Sequence, residues 1–198
     1  FDNRRPFMHN KFCVVDGERV WTGSTNITAN CMYRNNNNAL LVCSGRLASN
    51  YAAEFAEMFQ LRRFGEGSSH GTPFPSVMVG EVPVECYFAP EDNVSRAIIL
   101  ALGRARTSID FLAFSFTSKP IARRMADRAR AGVRVRGVFD TTQAGSRYSQ
   151  DDYLAEQGAL VYLDTNPYAM HHKVIVIDVA TVITGSYNFT KAADTQND

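Results

Sequence analysis

The chain has 198 residues, of which 45% are hydrophobic and 21% are charged. It is long enough for one substantial domain or two small ones, and its composition excludes a disordered, collagen-like or coiled-coil chain. Because 21 lysines and arginines face 20 aspartates and glutamates, the net charge is +1, so attraction to nucleic acid or anionic lipid would need a local patch.

The first part of the chain, residues 1–64, predicts a β-hairpin, a further strand and a helix. Asn38–Cys43 reads as a strand, and Arg46–Phe64 reads as an amphipathic helix because its apolar residues recur at helical spacing. Residues 65–81 contain four glycines and two prolines and predict a linker.

The second part, residues 82–198, predicts alternating strands and helices. The predicted strands are Val82–Phe88, Ser108–Phe116, Val133–Phe139 and Ala159–Leu163. The predicted helices are Asn93–Ala105, a helix from Pro120 to Arg130, and Gln150–Gln157. This alternation is typical of an α/β fold.

One segment of the chain occurs twice. Residues 8–28, MHNKFCVVDGERVWTGSTNIT, align without a gap on residues 170–190, MHHKVIVIDVATVITGSYNFT, with eleven of twenty-one positions identical. A repeat of this kind decides the architecture. We therefore predict that residues 1–64 are the C-terminal portion of a first repeat and residues 82–198 a second repeat without its last strand, cut from a longer protein.

Each copy carries a histidine and a lysine two residues apart. Side chains at positions i and i+2 of a strand share one face. His9 and Lys11 are therefore predicted to point into one cavity, and so are His171 and Lys173.

A Gly-Ser-x-Asn turn closes the repeated segment, after the second strand of its hairpin. The hairpin would bring the serine and asparagine beside the histidine, and the glycine fits the tight backbone. These residues are Gly23, Ser24 and Asn26 in the first copy and Gly185, Ser186 and Asn188 in the second. Asp16 and Asp178, seven residues after each histidine, fall on the opposite face of a straight strand and are assigned a supporting role.

Two such copies facing each other would form a pocket suited to a phosphate. The lysines would stabilise the oxyanion of a pentavalent transition state, and serine and asparagine would donate hydrogen bonds to nonbridging oxygens. One neutral histidine can attack phosphorus, while the other, protonated, gives its proton to the leaving oxygen. The pattern contains no carboxylate cluster for a metal, so neither a metal nor another cofactor is predicted.

The two motifs, HNKFCVVD with TGSTN and HHKVIVID with TGSYN, resemble the paired HxKx4D motifs of the phospholipase D superfamily. The resemblance covers Phe7–Cys43 and Val82–Asp198. It implies a two-repeat α/β fold of mixed sheets flanked by helices, with the active site at the interface of the repeats. It also implies a metal-independent phosphodiesterase that works through a phosphohistidine. SIDFLAFSFTS, ARAGVRVRGVFD and TGSYNFTKAADTQND are most similar to the small bacterial Nuc-type endonucleases.

One position departs from the family pattern. In the relatives, a Glu-Asn pair begins the strand after the Gly-Ser turn, and the glutamate accepts a proton from the back of the catalytic imidazole. Here the pair reads Asn37-Asn38. Asn37 can accept such a hydrogen bond but cannot stabilise an imidazolium by charge. By analogy with two-motif relatives, His9 is expected to be the nucleophile and His171 the general acid.

A basic segment lies between Arg104 and Arg136, where nine lysines and arginines face two aspartates. This excess could follow a phosphate backbone, with Arg123, Arg124 and Arg128 as candidate substrate-binding residues. It could equally be the solvated outer face of a helix.

The four cysteines form no CxxC pair and are expected to be buried free thiols. No stretch has the roughly 20 apolar residues of a membrane span. We therefore expect a soluble protein, cytoplasmic, periplasmic or secreted.

Three functions remain open from the sequence. The first is a nuclease-like phosphodiesterase acting on nucleic acid, with the active site formed by both repeats of one chain. The second keeps the chemistry and changes the substrate to phospholipid, as in phospholipase D or cardiolipin synthase. The third is a noncatalytic nucleic-acid-binding module that uses the arginine-rich face.

Overall fold

A computed structural model describes residues 2–65 and 71–198 of the chain. Its contacts divide the chain into two units. Unit 1 consists of Phe1–Gly23, Ala39–Val94 and Ala192–Asp198, and unit 2 consists of Ser24–Asn38 and Ser95–Lys191. The division predicted from the sequence ran along the chain, whereas each of these units combines segments from both halves.

Unit 1 is built on a three-stranded antiparallel sheet with the order β1-β2-β3. Its elements are β1 (Phe12–Val15), β2 (Arg19–Gly23), β3 (Ala39–Cys43), α2 (Gly45–Phe59), β4 (Ser76–Val79) and β5 (Val82–Glu85). Helix α2 begins where the Ser44 side chain accepts a hydrogen bond from the N–H of Leu47. The core of the unit consists of Val20, Leu47, Ala48, Val77, Cys86 and Phe88.

Unit 2 contains a mixed five-stranded sheet with the order β10-β9-β6-β7-β8. Strands β6, β7 and β8 run parallel, and β9 pairs antiparallel with both β6 and β10. The strands are β6 (Ser108–Ala113), β7 (Arg134–Phe139), β8 (Leu160–Leu163), β9 (Lys173–Ile177) and β10 (Thr181–Thr184). The helices are α1 (Ala29–Tyr33), α3 (Val94–Gly103), α4 (Lys119–Arg130), α5 (Thr141–Ala144) and α6 (Asp151–Glu156). A last helix, α7 (Lys191–Thr195), crosses the boundary between the units.

A cluster of aromatic rings fills the interior of unit 2. Phe111 and Phe116 meet edge to face at 5.9 Å, and Phe116 stacks on Phe139 at 5.7 Å. Gly137 on β7 lies directly under Phe111, because a Cβ at that position would be 2.0 Å from its ring. Any larger residue at position 137 would therefore displace the core of the sheet.

The two copies of the repeated segment fold into the same hairpin. Phe12 pairs with Thr22 in the β1–β2 ladder, and the equivalent residues Val174 and Thr184 pair in the β9–β10 ladder. The repeat seen in the sequence is therefore a structural repeat with a conserved register. The predicted α/β fold is confirmed.

Several details differ from the sequence expectations. The helix predicted to reach Phe64 ends at Phe59, and β4 forms inside the predicted linker. The expectation that all cysteines are buried is wrong for Cys13 and Cys43, which are exposed because each lies on the outward face of its strand. His70, in the predicted linker, lies outside the described residues. No helix in residues 2–65 and 71–198 is long and apolar enough to cross a membrane.

Candidate active site

The lysine of each motif donates a hydrogen bond to the backbone of its own histidine. Lys11 Nζ lies 2.7 Å from the carbonyl oxygen of His9, and Lys173 Nζ lies 2.8 Å from that of His171. Lys173 is 1% exposed and His171 is 7% exposed. The same arrangement in both copies places an ammonium group beside the backbone of each histidine.

The backbone of each histidine is held by a residue that follows the Gly-Ser turn of the other copy. The N–H of His171 donates to the carbonyl of Asn36 at 2.8 Å in unit 2. The N–H of His9 donates to the carbonyl of Asp198 at 2.7 Å in unit 1. Asn36 and Asp198 occupy equivalent positions of the repeat. The same backbone hydrogen bond therefore forms at both histidines and fixes the residues that lead into β1 and β9.

The imidazole of His171 has polar contacts at Nδ1 and an aromatic contact with Phe114. Its Nδ1 lies 2.9 Å from the carbonyl oxygen of Ser24 and 3.2 Å from Oδ1 of Asn37. The ring of Phe114 meets it edge to face at 4.7 Å, and the same ring lies 4.9 Å from Lys173 Nζ. Phe114 was not singled out from the sequence. Its position one residue beyond β6, the strand that pairs with β9, is the signal that could have found it.

The side chain of Asn37 is itself held in one orientation. Its Nδ2 donates to the carbonyl oxygen of Cys31 at 2.7 Å and to that of Asn35 at 3.3 Å. Its Oδ1 therefore faces His171 as the acceptor. Cys31 belongs to α1, whose first turn is capped by Thr28. This short helix, absent from the sequence prediction, is what positions Asn37.

Ser24 takes part in a second hydrogen-bond network. The residue is fully buried, and its Oγ donates to Oδ1 of Asn38 at 3.2 Å and accepts the N–H of Asn38 at 3.1 Å. Oδ1 of Asn38 also lies 3.0 Å from Nδ1 of His172. Burial, and then the charge of Lys173, lower the pKa of His172. The Ser24 hydroxyl thus has protein partners, and the His172 ring beside the motif has a lowered pKa.

The turn asparagines adopt the same backbone in both copies. The carbonyl of Asn26 accepts the N–H of Thr28 at 2.8 Å, and that of Asn188 accepts the N–H of Thr190 at 2.7 Å. Asn188 Oδ1 is buried and has no hydrogen-bond partner among the described residues. This amide oxygen can therefore accept one further hydrogen bond.

The rest of the second turn is built around a glycine. Ser186 is half-buried beside Asn188. Gly23 and Gly185 precede the serines with φ values of 150° and 157°, which a side chain would make unfavourable.

The two aspartates of the motifs occupy the hairpin turns, at the far end of the strands from the histidines. The carboxylate of Asp178 accepts hydrogen bonds from the N–H groups of Arg106, Thr107 and Ser108 at 2.8–3.1 Å. These bonds hold the pKa of Asp178 well below its usual range. Asp16 is exposed, with Arg19 at 3.9 Å. Asp178 therefore anchors the start of β6.

The three arginines of the basic segment differ in their surroundings. Arg123 lines a cavity of about 280 Å³ with Lys119, Gln150 and Tyr153. Arg124 packs over Gly103. Nη2 of Arg128 donates to the carbonyl oxygen of Ala105 at 2.8 Å. Arg128 therefore serves as a backbone anchor, while Arg123 remains available to a substrate.

Asp140, a buried carboxylate that was not singled out from the sequence, positions the segment that leads into β9 in unit 2. Asp140 follows β7 and is fully buried. Its Oδ2 accepts the N–H of Met170 at 2.9 Å, and its Oδ1 caps α5 through Thr142 and Gln143. Asp140 thus fixes the residue directly before His171.

In residues 2–65 and 71–198, no group of three His, Cys, Asp or Glu side chains is arranged to hold a metal ion.

The chain is similar to known proteins in family, in sequence and in structure. A family model described as cardiolipin synthase, PLD-like domain, matches residues 1–59 and 98–198. The phospholipase D of Rickettsia typhi is 33% identical over 58% of the chain and 56% of its own length. The human mitochondrial cardiolipin hydrolase is 35% identical over 62% of the chain and 50% of its own length.

A solved structure agrees with these relatives. A phospholipase D family member, Nuc from Salmonella typhimurium, superposes with a TM-score of 0.53 at 38% identity, covering 55% of the chain and 73% of that protein. The chain spans about half the length of the two curated relatives above.

Proposed function

The chain belongs to the PLD-like domain family, and from this premise we propose that it is a phosphodiesterase that works through a phosphohistidine without a metal ion. The observation that carries the proposal is the duplicated arrangement, in which a lysine lies on the carbonyl of its own histidine in both copies. Both copies serve one phosphodiester, with the Gly-Ser-x-Asn turns supplying Asn26, Ser186 and Asn188 to its nonbridging oxygens, while Ser24, predicted from the sequence to bind them, stays bonded to Asn38.

The reaction proceeds by two in-line displacements. In the first, Nε2 of one histidine attacks phosphorus, a nitrogen–phosphorus bond forms, and the bond to the leaving oxygen breaks as the other histidine gives that oxygen its proton. In the second, water attacks the phosphohistidine and passes a proton to the second histidine, and the electron pair returns to the first. Lys11 and Lys173 offset the negative charge that grows on the nonbridging oxygens.

Nucleic acid is the substrate we propose first. The resemblance to Nuc-type endonucleases supports it, and so does Arg123, which lies with Lys119 along an exposed cavity. Neither cation forms an ion pair with any carboxylate in the described part of the chain. Such cations can follow a phosphate backbone on either side of the bond that is cleaved.

Phospholipid is the second candidate, and a specific feature of unit 2 favours it. Ile27, Met32 and Tyr33, in and beside α1, are 73%, 50% and 87% exposed. They follow the Gly-Ser turn that contributes to the site, so an apolar surface lies next to the chemistry. Exposed apolar side chains at such a place can bury acyl chains or a membrane surface.

The test offers labelled single-stranded DNA, duplex DNA, RNA and cardiolipin-containing vesicles to the full chain in EDTA. His9→Asn and His171→Asn are expected to abolish turnover, while His70→Asn, the same chemical change outside the motifs, retains it. Cleavage of a nucleic acid supports the first substrate, and cleavage of the lipid alone supports the second. Binding of nucleic acid without turnover of any phosphodiester would leave the noncatalytic module.

A further inference from the structure

We propose that the cavity between α4 and α6 binds a second phosphate of the substrate, the neighbour of the one that is cleaved along a nucleic acid strand. The inference rests on the proposed function and deepens it, because it requires a substrate with more than one phosphate. Lys119 and Arg123 on α4 form one wall of the cavity, and Gln150 and Tyr153 form the other. All four residues belong to unit 2.

The two cations of the cavity are held about one helical turn apart. Lys119 and Arg123 are exposed positions of α4, whose buried side consists of Ile121, Ala122, Met125 and Ala126. Like charges four residues apart on a helix repel each other. Among the residues that the structure describes, neither cation has a carboxylate at ion-pair distance. An anion in the cavity would therefore offset the repulsion without displacing a carboxylate.

The opposite wall is polar and neutral. Gln150 is 7% exposed, and its Nε2 donates to the carbonyl oxygens of Tyr148 and Ser149 at 2.9 and 3.3 Å. Asp151 and Asp152, the acidic residues in the first turn of α6, do not line the cavity. Its volume of about 280 Å³ is large enough for a phosphate group and several waters.

Backbone hydrogen bonds tie both walls to the second Gly-Ser-x-Asn turn. The N–H of Ser118, directly before α4, donates to the carbonyl of Phe189 at 2.9 Å. The N–H of Gln150 donates to the carbonyl of Phe116 at 3.1 Å, and Phe116 forms a β-bridge with Phe189. Phe189 directly follows Asn188 of the turn. A strand bound at this turn can therefore continue into the cavity.

A lysine and an arginine together suit a backbone phosphate. The planar guanidinium of Arg123 can donate two parallel N–H groups to phosphate oxygens, and the ammonium group of Lys119 adds a point charge. Such contacts do not depend on the base sequence. They position the strand and leave the chemistry to the duplicated motif.

Dinucleotides that differ by one phosphate test the inference. TpT has only the phosphodiester that is cleaved, whereas pTpT and TpTp each carry a second phosphate at one end. We expect kcat/KM for one of these two compounds to exceed that for TpT by about tenfold, the low end of what hydrogen bonds to a charged group contribute. The end that gives the gain shows the direction in which the strand lies.

Variants of the cavity locate the origin of this gain. Lys119→Gln and Arg123→Gln should each bring the ratio of the two kcat/KM values close to one. Arg96→Gln removes the same charge from an exposed position of α3 and should keep the ratio of the wild type. A wild-type protein that gains nothing from either end phosphate overturns the inference, and so does a ratio that both cavity variants retain.

Two further outcomes are distinguishable. A gain for cardiolipin over phosphatidylglycerol, which has a single phosphate, with none for the dinucleotides would overturn the assignment of the cavity to nucleic acid. If the wild-type protein cleaves none of these compounds and does not cleave bis(p-nitrophenyl) phosphate, the proposed function itself is overturned.

Discussion

Glu54 on α2 bonds to the segment that leads into β1, and the effect of its charge on stability can be measured. The side chain is 7% exposed, and its Oε1 accepts a hydrogen bond from Nδ2 of Asn10 at 3.1 Å. Asn10 lies between His9 and Lys11. Burial, followed by the negative charges of Glu91, Asp198 and Glu57, raises the pKa of Glu54 from 4.5 to about 8.

The consequence for stability has a definite sign. The folded state binds the Glu54 proton more tightly than the unfolded state, so the free energy of unfolding falls as the pH rises from about 4.5 to about 8. At 1.36 kcal/mol for each pH unit, the full difference is about 5 kcal/mol, and relaxation around the carboxylate reduces it to about 2 kcal/mol. Glu54→Gln keeps an oxygen for Asn10 and removes the charge.

Urea unfolding of both proteins at pH 5 and pH 9 measures this difference. We expect Glu54→Gln to be about 2 kcal/mol more stable than the wild type at pH 9 and nearly equal to it at pH 5. Glu18→Gln, the same change at an exposed position of unit 1, should have no effect at either pH. If the free energy of unfolding fell by the same amount between pH 5 and pH 9 in the wild type and in Glu54→Gln, the reasoning would be refuted.

The remaining predictions concern unit 2. Phe114→Leu removes the ring that contacts His171 and Lys173 and should lower kcat about tenfold with little change in KM, as steady-state kinetics would show; an unchanged kcat contradicts the role. Asp178→Asn should lower Tm at pH 7, and the deficit should shrink as the pH falls through the depressed pKa of Asp178, which calorimetry can follow. Arg123→Ala should raise KM for nucleic acid and reduce its salt dependence, whereas Arg128→Ala should lower Tm instead; the reverse pattern would exchange their roles.

The repeat allowed the hairpins that carry the candidate residues to be predicted from the sequence. An offset of 162 residues aligns the two hairpins. Because His171 and Lys173 are two residues apart, the sequence predicts that their side chains share one face where the chain enters β9. The resemblance also implied an acceptor at Asn37, and the structure brings its Oδ1 to 3.2 Å from His171 Nδ1. Local sequence was sufficient here because these contacts follow from the periodicity of a strand and from a duplicated segment.

Other parts of the site depend on contacts between distant segments. Phe114 reaches His171 only because β6 pairs with β9, and Asp140 reaches Met170 across 30 residues. Helix α1 has five residues, too few for an apolar period to be read from the sequence. The carbonyl of Cys31 in that helix nevertheless orients Asn37. Pairing and helix capping of this kind arise from tertiary packing and leave no periodic signal in the chain.

The stereochemistry at phosphorus tests the central claim most directly. A phosphodiester made chiral by one sulfur atom is hydrolysed in ¹⁸O-water, and the configuration of the product is determined. Two in-line displacements through a phosphohistidine invert phosphorus twice, so the account predicts net retention of configuration. Net inversion would show that water attacks the substrate in a single step and would contradict covalent catalysis by the duplicated motif.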